Sequence, residues 1–415
     1  MATRRRIGFL IYRGNPYSGG QGVYTRHLTR ELAALGHEVT VFSGPPYPTI
    51  DAPVDLVKVP SLNLYRHRYP LWIPLPWELR TTIDWLEFGL VTSGQFPEAH
   101  TFSYRIMKLL EGRWDEFDVV HDNQSLGRAF HRAIDEGRPL LATIHHPITV
   151  DRDLELSHAE SVWRRARIRR WYSFLPAQIA VARRLEHMIT VSDSSRTDIA
   201  KQMGVPYDRI SVVPVGVDHE RFKPRPEIAR VPGRVFTTAS ADVPLKGLVP
   251  LLEAIALVRR QRPVELVVVG KQRQGTTIPS VLRRLGLGQD EVRFVHGVTD
   301  AYINELYAQA EVAVVPSLYE GFSLPAIEAM ASGTPLVATT GGALPEVVGT
   351  DGAARLVPPN DAPALAEAIL TVLDSAAERH RLSAAGRARV LERFTWRVTA
   401  EGTAAQYERY LASRP

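Results

Sequence analysis

The chain has 415 residues, 45% hydrophobic, 23% charged and 8% aromatic, with a net charge of +5; this is a globular composition with room for two or three domains, unlike a disordered, collagen-like or coiled-coil chain. It has no cysteine, which excludes disulfides, thiolate metal sites and a cysteine nucleophile. No apolar run approaches the ~20 residues that span a bilayer, and the apolar run 7–12 stops at Arg13, too short for a signal peptide; the expectation is a cytoplasmic protein.

The first forty residues read as strand, glycine-rich loop, helix, strand. An apolar run over 7–12 is followed by Asn15-Pro-Tyr-Ser-Gly-Gly-Gln-Gly22, and Val23, Leu28, Leu32 and Leu35 then recur at helical spacing. Gly36 suits the helix stop and 38–42 resumes a strand, so this is a βαβ unit with parallel strands. Further strands are expected at 54–59, 118–121, 140–145, 187–192 and 210–214. The segment 62–110 breaks that rhythm. It opens with Tyr65-Arg-His-Arg-Tyr-Pro-Leu-Trp-Ile-Pro-Leu-Pro-Trp77 and continues in a helical stretch holding Trp85, Leu86, Phe88 and Leu90. A second basic cluster is Trp163-Arg-Arg-Ala-Arg-Ile-Arg-Arg-Trp-Tyr172.

After the Pro-rich Lys223-Pro-Arg-Pro226 the alternation restarts. Strands are expected at 234–239, 264–270, 292–296, 310–316, 336–339 and 355–357, and helices at 249–260, 301–309, 325–332 and 362–374. Two successive sets of this kind imply an α/β fold of two doubly wound, Rossmann-like domains with a cleft between them. Ligands in such sheets bind beyond the carboxyl ends of the strands. The last segment, from Phe394 to Tyr410, reads as a helix.

The densest constellation is Leu318-Tyr-Glu-Gly-Phe-Ser-Leu-Pro-Ala-Ile-Glu-Ala-Met-Ala-Ser-Gly333. Here a strand ends in a loop with Glu320 and Gly321. Ser323 would cap the following helix, Pro325 suits its first turn and Gly333 its end. Free N–H groups and a partial positive charge at such a helix start suit a phosphate. Glu320 would stand beside that anion, and Glu328, about a turn in, would reach a different polar group. Gly341 and Gly342 would let backbone approach a ligand closely. Only six of the 50 basic residues are Lys, so Lys246, at a strand-to-helix turn, stands out as a cation for the same cleft. His145 ends a first-domain strand and also points to the cleft. There is no G-x-G-x-x-G fingerprint, P-loop, metal-ligand spacing or G-x-S-x-G elbow.

Four stretches in this order resemble the retaining nucleotide-sugar glycosyltransferases of family 4, which have the GT-B fold. They are Gly19-Gly20 with Gly36-His-Glu-Val39, Val213-Pro-Val-Gly-Val-Asp218 with Phe222, Glu320-x7-Glu328, and Gly341-Gly342 with Pro345-Glu346. The resemblance implies an acceptor-side domain over 1–222, a donor domain over 223–393 and a helix over 394–415 that crosses back. It also implies metal-free transfer, with retention, from a UDP- or GDP-linked sugar to an acceptor hydroxyl. By the same likeness, Glu328 would bind the ribose hydroxyls, and Glu320 with the amides of Phe322, Ser323 and Leu324 would hold sugar and diphosphate. Lys246 would neutralise the diphosphate, His145 would contact the sugar, and Gly20 would admit the β-phosphate. Lys271, after Gly270, and Gly297-Val298 would flank the base.

One departure from the family pattern concerns charge. The family has a Gly-Arg before its Lys-Gly, whereas this chain has Ala239-Ser240-Ala241-Asp242; Lys271 or another cation substitutes, or the diphosphate is held more weakly. Interleaved Arg and Trp at 65–77 and 163–172 suit a membrane interface at the inner face of the cell membrane, and with it a lipid-linked acceptor; a solvated basic helix beside a Pro-rich loop is the alternative. No nucleic-acid motif accompanies them. A nucleotide-sugar epimerase, a sugar phosphorylase and a non-catalytic nucleotide-sugar binder remain open readings.

Overall fold

The computed structural model of the chain describes residues 3–15, 20–65, 73–157, 159, 161–238, 244–270, 277–350 and 352–414. It divides into two compact units, one of residues 1–213 with 399–415 and one of residues 214–398.

The first unit is built on β1 (Arg6–Ile11), β2 (Glu38–Ser43), β3 (Asp55–Lys58), β4 (Val119–Asn123), β5 (Leu140–Ile144), β6 (Met188–Thr190) and β7 (Ile210–Val212). These form one parallel sheet in the order β3-β2-β1-β4-β5-β6-β7. Strands covered on both faces read as unbroken apolar runs. Every residue of β4 and β5 is buried, whereas the edge strand β3 is not fully buried anywhere along its length. The predicted last helix forms over Trp396–Ala412. Its Tyr407 and Tyr410 are buried in this unit, Tyr407 against the β4 residue His121.

The second unit holds β8 (Arg234–Thr237), β9 (Glu265–Val269), β10 (Val292–Val295), β11 (Val312–Val315), β12 (Leu336–Thr339) and β13 (Arg355–Val357). They too form a parallel sheet, in the order β10-β9-β8-β11-β12-β13. The helix Leu248–Arg259 buries Leu251, Leu252, Ile255 and Val258 on one face, and Ala362–Asp374 buries Leu365, Ile369, Val372 and Leu373. At three- and four-residue spacing these side chains form one stripe per helix, and both stripes join the core over the sheet. The helix Ala376–Arg393 was not expected from the sequence; it buries only Leu382, Gly386 and Val390, a stripe one residue wide.

Candidate functional site

In a doubly wound sheet the strand order reverses at one point, and the loops on either side part to leave a crevice. In the second unit that point lies between β8 and β11. Lys246 comes from the turn after β8, Glu320 from the loop after β11. Gly247 has φ +67°, and a Cβ there would lie 1.9 Å from the carbonyl oxygen of Pro316. Only glycine allows that contact. Leu318 N donates to Leu245 O at 2.7 Å, so the two loops are joined backbone to backbone. Across the joint, Lys246 Nζ donates to Glu320 Oε1 at 2.8 Å and to Oε2 at 3.0 Å. Ser317 Oγ donates to Oε1 at 2.7 Å. The carboxylate is buried, with the Glu320 side chain 9% exposed, while that of Lys246 is 36% exposed. The ammonium is thus the accessible half of the pair.

Gly341 and Gly342 act differently from the sequence expectation. The backbone they admit is that of the Glu320 loop, and no ligand is needed to explain them. A Cβ on Gly341 would lie 2.7 Å from the carbonyl oxygens of Ser317 and Leu318, and one on Gly342, at φ +62°, would lie 2.3 Å from that of Glu320. Ala343 N donates to Glu320 O at 2.8 Å, and Thr339 Oγ1 donates to Ser317 O. A third loop therefore props the Glu320 loop from the β12 side.

Ser323 is the second correction. A capping serine needs extended backbone, from which its oxygen can turn back to the first turn. Ser323 instead has φ +105° and ψ +84° and makes no capping bond to the helix Leu324–Ala331. Strain of this kind costs about 1–3 kcal/mol and is found chiefly at functional sites. Its Oγ is buried and finds no hydrogen-bond partner among the described residues. Phe322 anchors the same turn, with its ring 5.8 Å from that of Phe394. The positive end of this helix thus carries no side-chain cap and has an unsatisfied hydroxyl beside it. Glu328, further along, accepts from Tyr307 Oη at 3.3 Å, and Tyr307 Oη also lies 3.3 Å from Pro325 O. Burial and the Glu328 charge push the Tyr307 hydroxyl well above its ordinary pKa, so it remains a donor. Gly297 is exposed with φ +67°, and an added Cβ would meet nothing; Val298 beside it is half-buried. Lys271 and the stretch 239–243 lie outside the described residues.

In the first unit the order reverses between β1 and β4. Gly20 opens the helix Gly20–Ala34; residues 16–19 lie outside the described residues. A Cβ on Gly22 would lie 2.2 Å from Asn15 O, which seats the helix start on the preceding loop. His145 follows β5. Its backbone N donates to Gln124 Oε1 at 2.8 Å, and its Nε2 lies 2.8 Å from Asn123 Oδ1. Because that oxygen only accepts, we assign the proton to Nε2, leaving Nδ1 with a lone pair. The Tyr24 ring meets the imidazole edge-on, with centroids 4.7 Å apart. Burial, and then the neighbouring His146, lower the His145 pKa to about 3. Behind it His121 is held by Tyr407 Oη and Thr143 Oγ1, each at 2.7 Å, and burial lowers its pKa to about 3 as well.

Both imidazoles are therefore neutral in the folded chain and take up protons on unfolding once the pH is below about 6.5. The stability they contribute is present above that pH and is lost as pH falls from 6.5 towards 3. Each costs up to about 1.4 kcal/mol per pH unit in that window. Thermal melts between pH 7 and pH 5 are expected to show a falling Tm, with a shallower slope in His121→Gln.

Residues 18–221 match the family described as Glycosyltransferase Family 4, and residues 232–375 the one described as Glycosyl transferases group 1. The chain is 49% identical over 409 residues to the MMP alpha-(1->4)-mannosyltransferase of Mycolicibacterium hassiacum, covering 98% of each. It belongs to glycosyltransferase family 4. A second relative, D-inositol 3-phosphate glycosyltransferase 2 of Catenulispora acidiphila, is 30% identical over 98% of this chain and 95% of its own. Among solved structures, the sucrose-phosphate synthase of Thermosynechococcus elongatus superposes with a TM-score of 0.73 at 24% identity, covering 99% of this chain and all of its own. The two parallel-sheet units are thus those of a GT-B glycosyltransferase.

Of the residues singled out in this glycosyltransferase, Lys246, Glu320, Phe322, Ser323, Leu324 and Glu328 gather at the β8/β11 switch point. His145 and Gly20 stand at the ends of strands and loops of the first unit. Ser317, Tyr307, Asn123, Gln124 and Tyr24 were missed. Asn123 and Gln124 carried a usable signal, being polar residues at the carboxyl end of a buried parallel strand, where ligand sites form. Tyr307 carried none, since it acts by reaching across to Glu328 on another helix, and Ser317 carried none because its bond to Glu320, three residues on, depends on the path of the loop they share. No group of three His, Asp or Glu among the described residues could hold a metal ion, and none of the described helices is long and apolar enough to cross a membrane.

Proposed function

We propose that this glycosyltransferase moves a mannosyl group from a UDP- or GDP-linked mannose to a sugar hydroxyl, with retention and without a metal. The observation that carries the reading is the exposed Lys246 ammonium, braced by the buried Glu320 beside an uncapped helix start. Mannose is suggested by the relative of 49% identity, which is named as an α-(1→4)-mannosyltransferase. An α-linked product from an α-linked donor is retention.

In the step we propose, the bond from the anomeric carbon to the diphosphate oxygen breaks, and that oxygen keeps the electron pair. The acceptor oxygen bonds to the same face of the anomeric carbon, and its proton passes to the departing oxygen. Negative charge grows on the diphosphate, where Lys246 and the amides of Phe322, Ser323 and Leu324 would stabilise it. Glu320 has both oxygens committed to Lys246 and Ser317, which favours a positioning role towards the cation. Glu328 would accept from the ribose hydroxyls, and neutral His145 would accept from a sugar hydroxyl through Nδ1. Transfer from each nucleoside diphosphate mannose to oligosaccharide acceptors, with the product anomer read by NMR, tests the proposal. A β-linked product would refute retention, and isomerised donor or phosphate-dependent cleavage would restore the epimerase or phosphorylase readings.

Metal independence is supported by the positive charge the chain itself supplies at this point. Excess EDTA is expected to leave the rate unchanged; full inhibition reversed by Mg²⁺ would refute the proposal.

A membrane contact, with a lipid-linked acceptor, is a second reading. The helix Val162–Trp171 has Trp163 87% exposed in its first turn and turns five arginines outward, and Ile73 and Trp77 are 74% and 68% exposed; residues 66–72 lie outside the described residues. Basic residues near an anionic bilayer contribute ~1 kcal/mol each. Co-sedimentation with phosphatidylglycerol vesicles should be salt-sensitive and weakened by Trp163→Ala; no binding at low salt removes this reading.

A further inference from the structure

We infer that the second unit carries a separate site for a phosphate-bearing small molecule, in the cavity between the segment 224–230 and the helix Ala376–Arg393. The Pro-rich Lys223-Pro-Arg-Pro226 thereby acquires a role as one wall of a binding site. The cavity measures about 890 Å³, within the usual range for small-molecule sites. Ser332 and Gly333 line it. They close the C-terminal end of the eight-residue helix Leu324–Ala331, so the cavity lies ~12 Å along that helix from its Ser323 end.

Its lining is one-sided in charge. Arg225, Arg230, Arg379, Arg387 and His380 face it, and among the described residues no Asp or Glu does. Arg387 Nη1 donates to the carbonyls of Ala331 at 2.8 Å, Phe222 at 3.0 Å and His219 at 3.1 Å. Arg230 donates to Ala310 O and Gly333 O, each at 2.8 Å, and Ser383 Oγ lies 3.4 Å from its Nη2. Arg379 Nη1 donates to Val372 O and Leu373 O at 2.9 Å and 2.7 Å. Carbonyls satisfy N–H groups without neutralising charge. The neighbouring carboxylates are Glu227, 2.8 Å from Arg225 Nε, Glu311, 3.4 Å from Arg379 Nη2, and Glu220, whose field reaches Arg387. Glu311 is shared, since it also accepts from Gly233 N at 2.7 Å. Burial and the Arg379 charge together depress the Arg230 guanidinium.

Capping the end of the helix Leu324–Ala331 explains the bonds of Arg230 and Arg387. It does not explain four guanidinium groups around an open cavity. Arg230 and Arg379 are largely committed to the bonds above, but among the described residues Arg225 is engaged only through Nε and Arg387 only through Nη1, which leaves these two with further N–H donors of the kind that match phosphate oxygens. The remaining walls include Pro224, Ile228, Ala384, Ala388 and Leu391, an apolar surface that phosphate alone would leave uncovered. The chemistry recognised is a phosphate group, either as the free ion or carried on a sugar.

Calorimetric titration of the full chain, with the donor site kept filled by nucleoside diphosphate, tests the site with inorganic phosphate and with mannose 6-phosphate. Saturable 1:1 binding is expected, unchanged in Lys246→Ala. Arg230 and Arg387 hold backbone, so the decisive variant is Ala388→Glu, at an exposed cavity position. It removes no hydrogen bond and should weaken binding roughly tenfold or more, since facing like charges are costly; Ala388→Gln should stay within about twofold. Tighter binding of mannose 6-phosphate identifies a sugar phosphate as the ligand, and equal affinities identify the free ion. The inference is overturned if neither probe binds, if Ala388→Glu binds like the parent chain, or if Lys246→Ala abolishes binding. Because the donor site stays filled throughout, failure here leaves the proposed transfer reaction standing.

Discussion

Lys246→Ala is expected to lower kcat by roughly 10³-fold or more, the largest effect of any single substitution considered. Removing one preorganised donor from a developing oxyanion costs roughly 10²–10³-fold. Here the loss is compounded, because the substitution leaves the buried carboxylate of Glu320 without its cation, held among the described residues only by Ser317 Oγ at 2.7 Å, facing an incoming diphosphate. A distinctive consequence follows for the double variant. Lys246→Ala combined with Glu320→Ala should be no slower than Lys246→Ala alone, and should bind donor better, because it removes the uncompensated anion. Residues that act as a unit are non-additive in this way. Steady-state kinetics on the two single variants and the double variant decide it; additive losses would mean that the pair does not act as one.

Glu320→Ala should lower kcat by roughly 10²-fold while the chain stays folded. The loop does not depend on that side chain for its path. Its backbone is fixed by Ala343 N on Glu320 O at 2.8 Å and by Leu318 N on Leu245 O at 2.7 Å. The Lys246 left behind is more than a third exposed and can be solvated, so the stability cost should be about 1 kcal/mol. What is lost is the fixed direction of the ammonium. The expected signature is therefore a fall in kcat larger than the rise in donor KM. Glu320→Gln, which keeps the shape but not the charge, should lie between the two. A circular-dichroism melt within a few degrees of the parent separates this from unfolding, and an unchanged kcat would remove Glu320 from the mechanism.

The parallel strands were legible because full burial makes them continuous apolar runs such as Val312–Val315 and Leu336–Thr339. The helix Ala376–Arg393 was not, since three buried residues among charged ones give little periodicity. At the site, Lys246 and Glu320 could be picked out as a rare lysine and as a carboxylate after a buried strand. Their pairing could not, because it depends on the strand order that sets β8 beside β11. The glycines show the same limit. The sequence says that Gly341 and Gly342 tolerate close approach, but only the fold reveals that what approaches is the Glu320 loop. Ser323 read as a cap by composition, yet the chain enters the helix at φ +105°, a direction imposed by how the neighbouring loops pack.

The most direct measurement is a crystal structure of the chain with bound nucleoside diphosphate. The diphosphate should lie within hydrogen-bond reach of Lys246 Nζ and of the amides at Ser323 and Leu324, with the ribose on Glu328. A diphosphate that leaves Lys246 still closed on Glu320 and touches neither the ammonium nor that helix start would contradict the account.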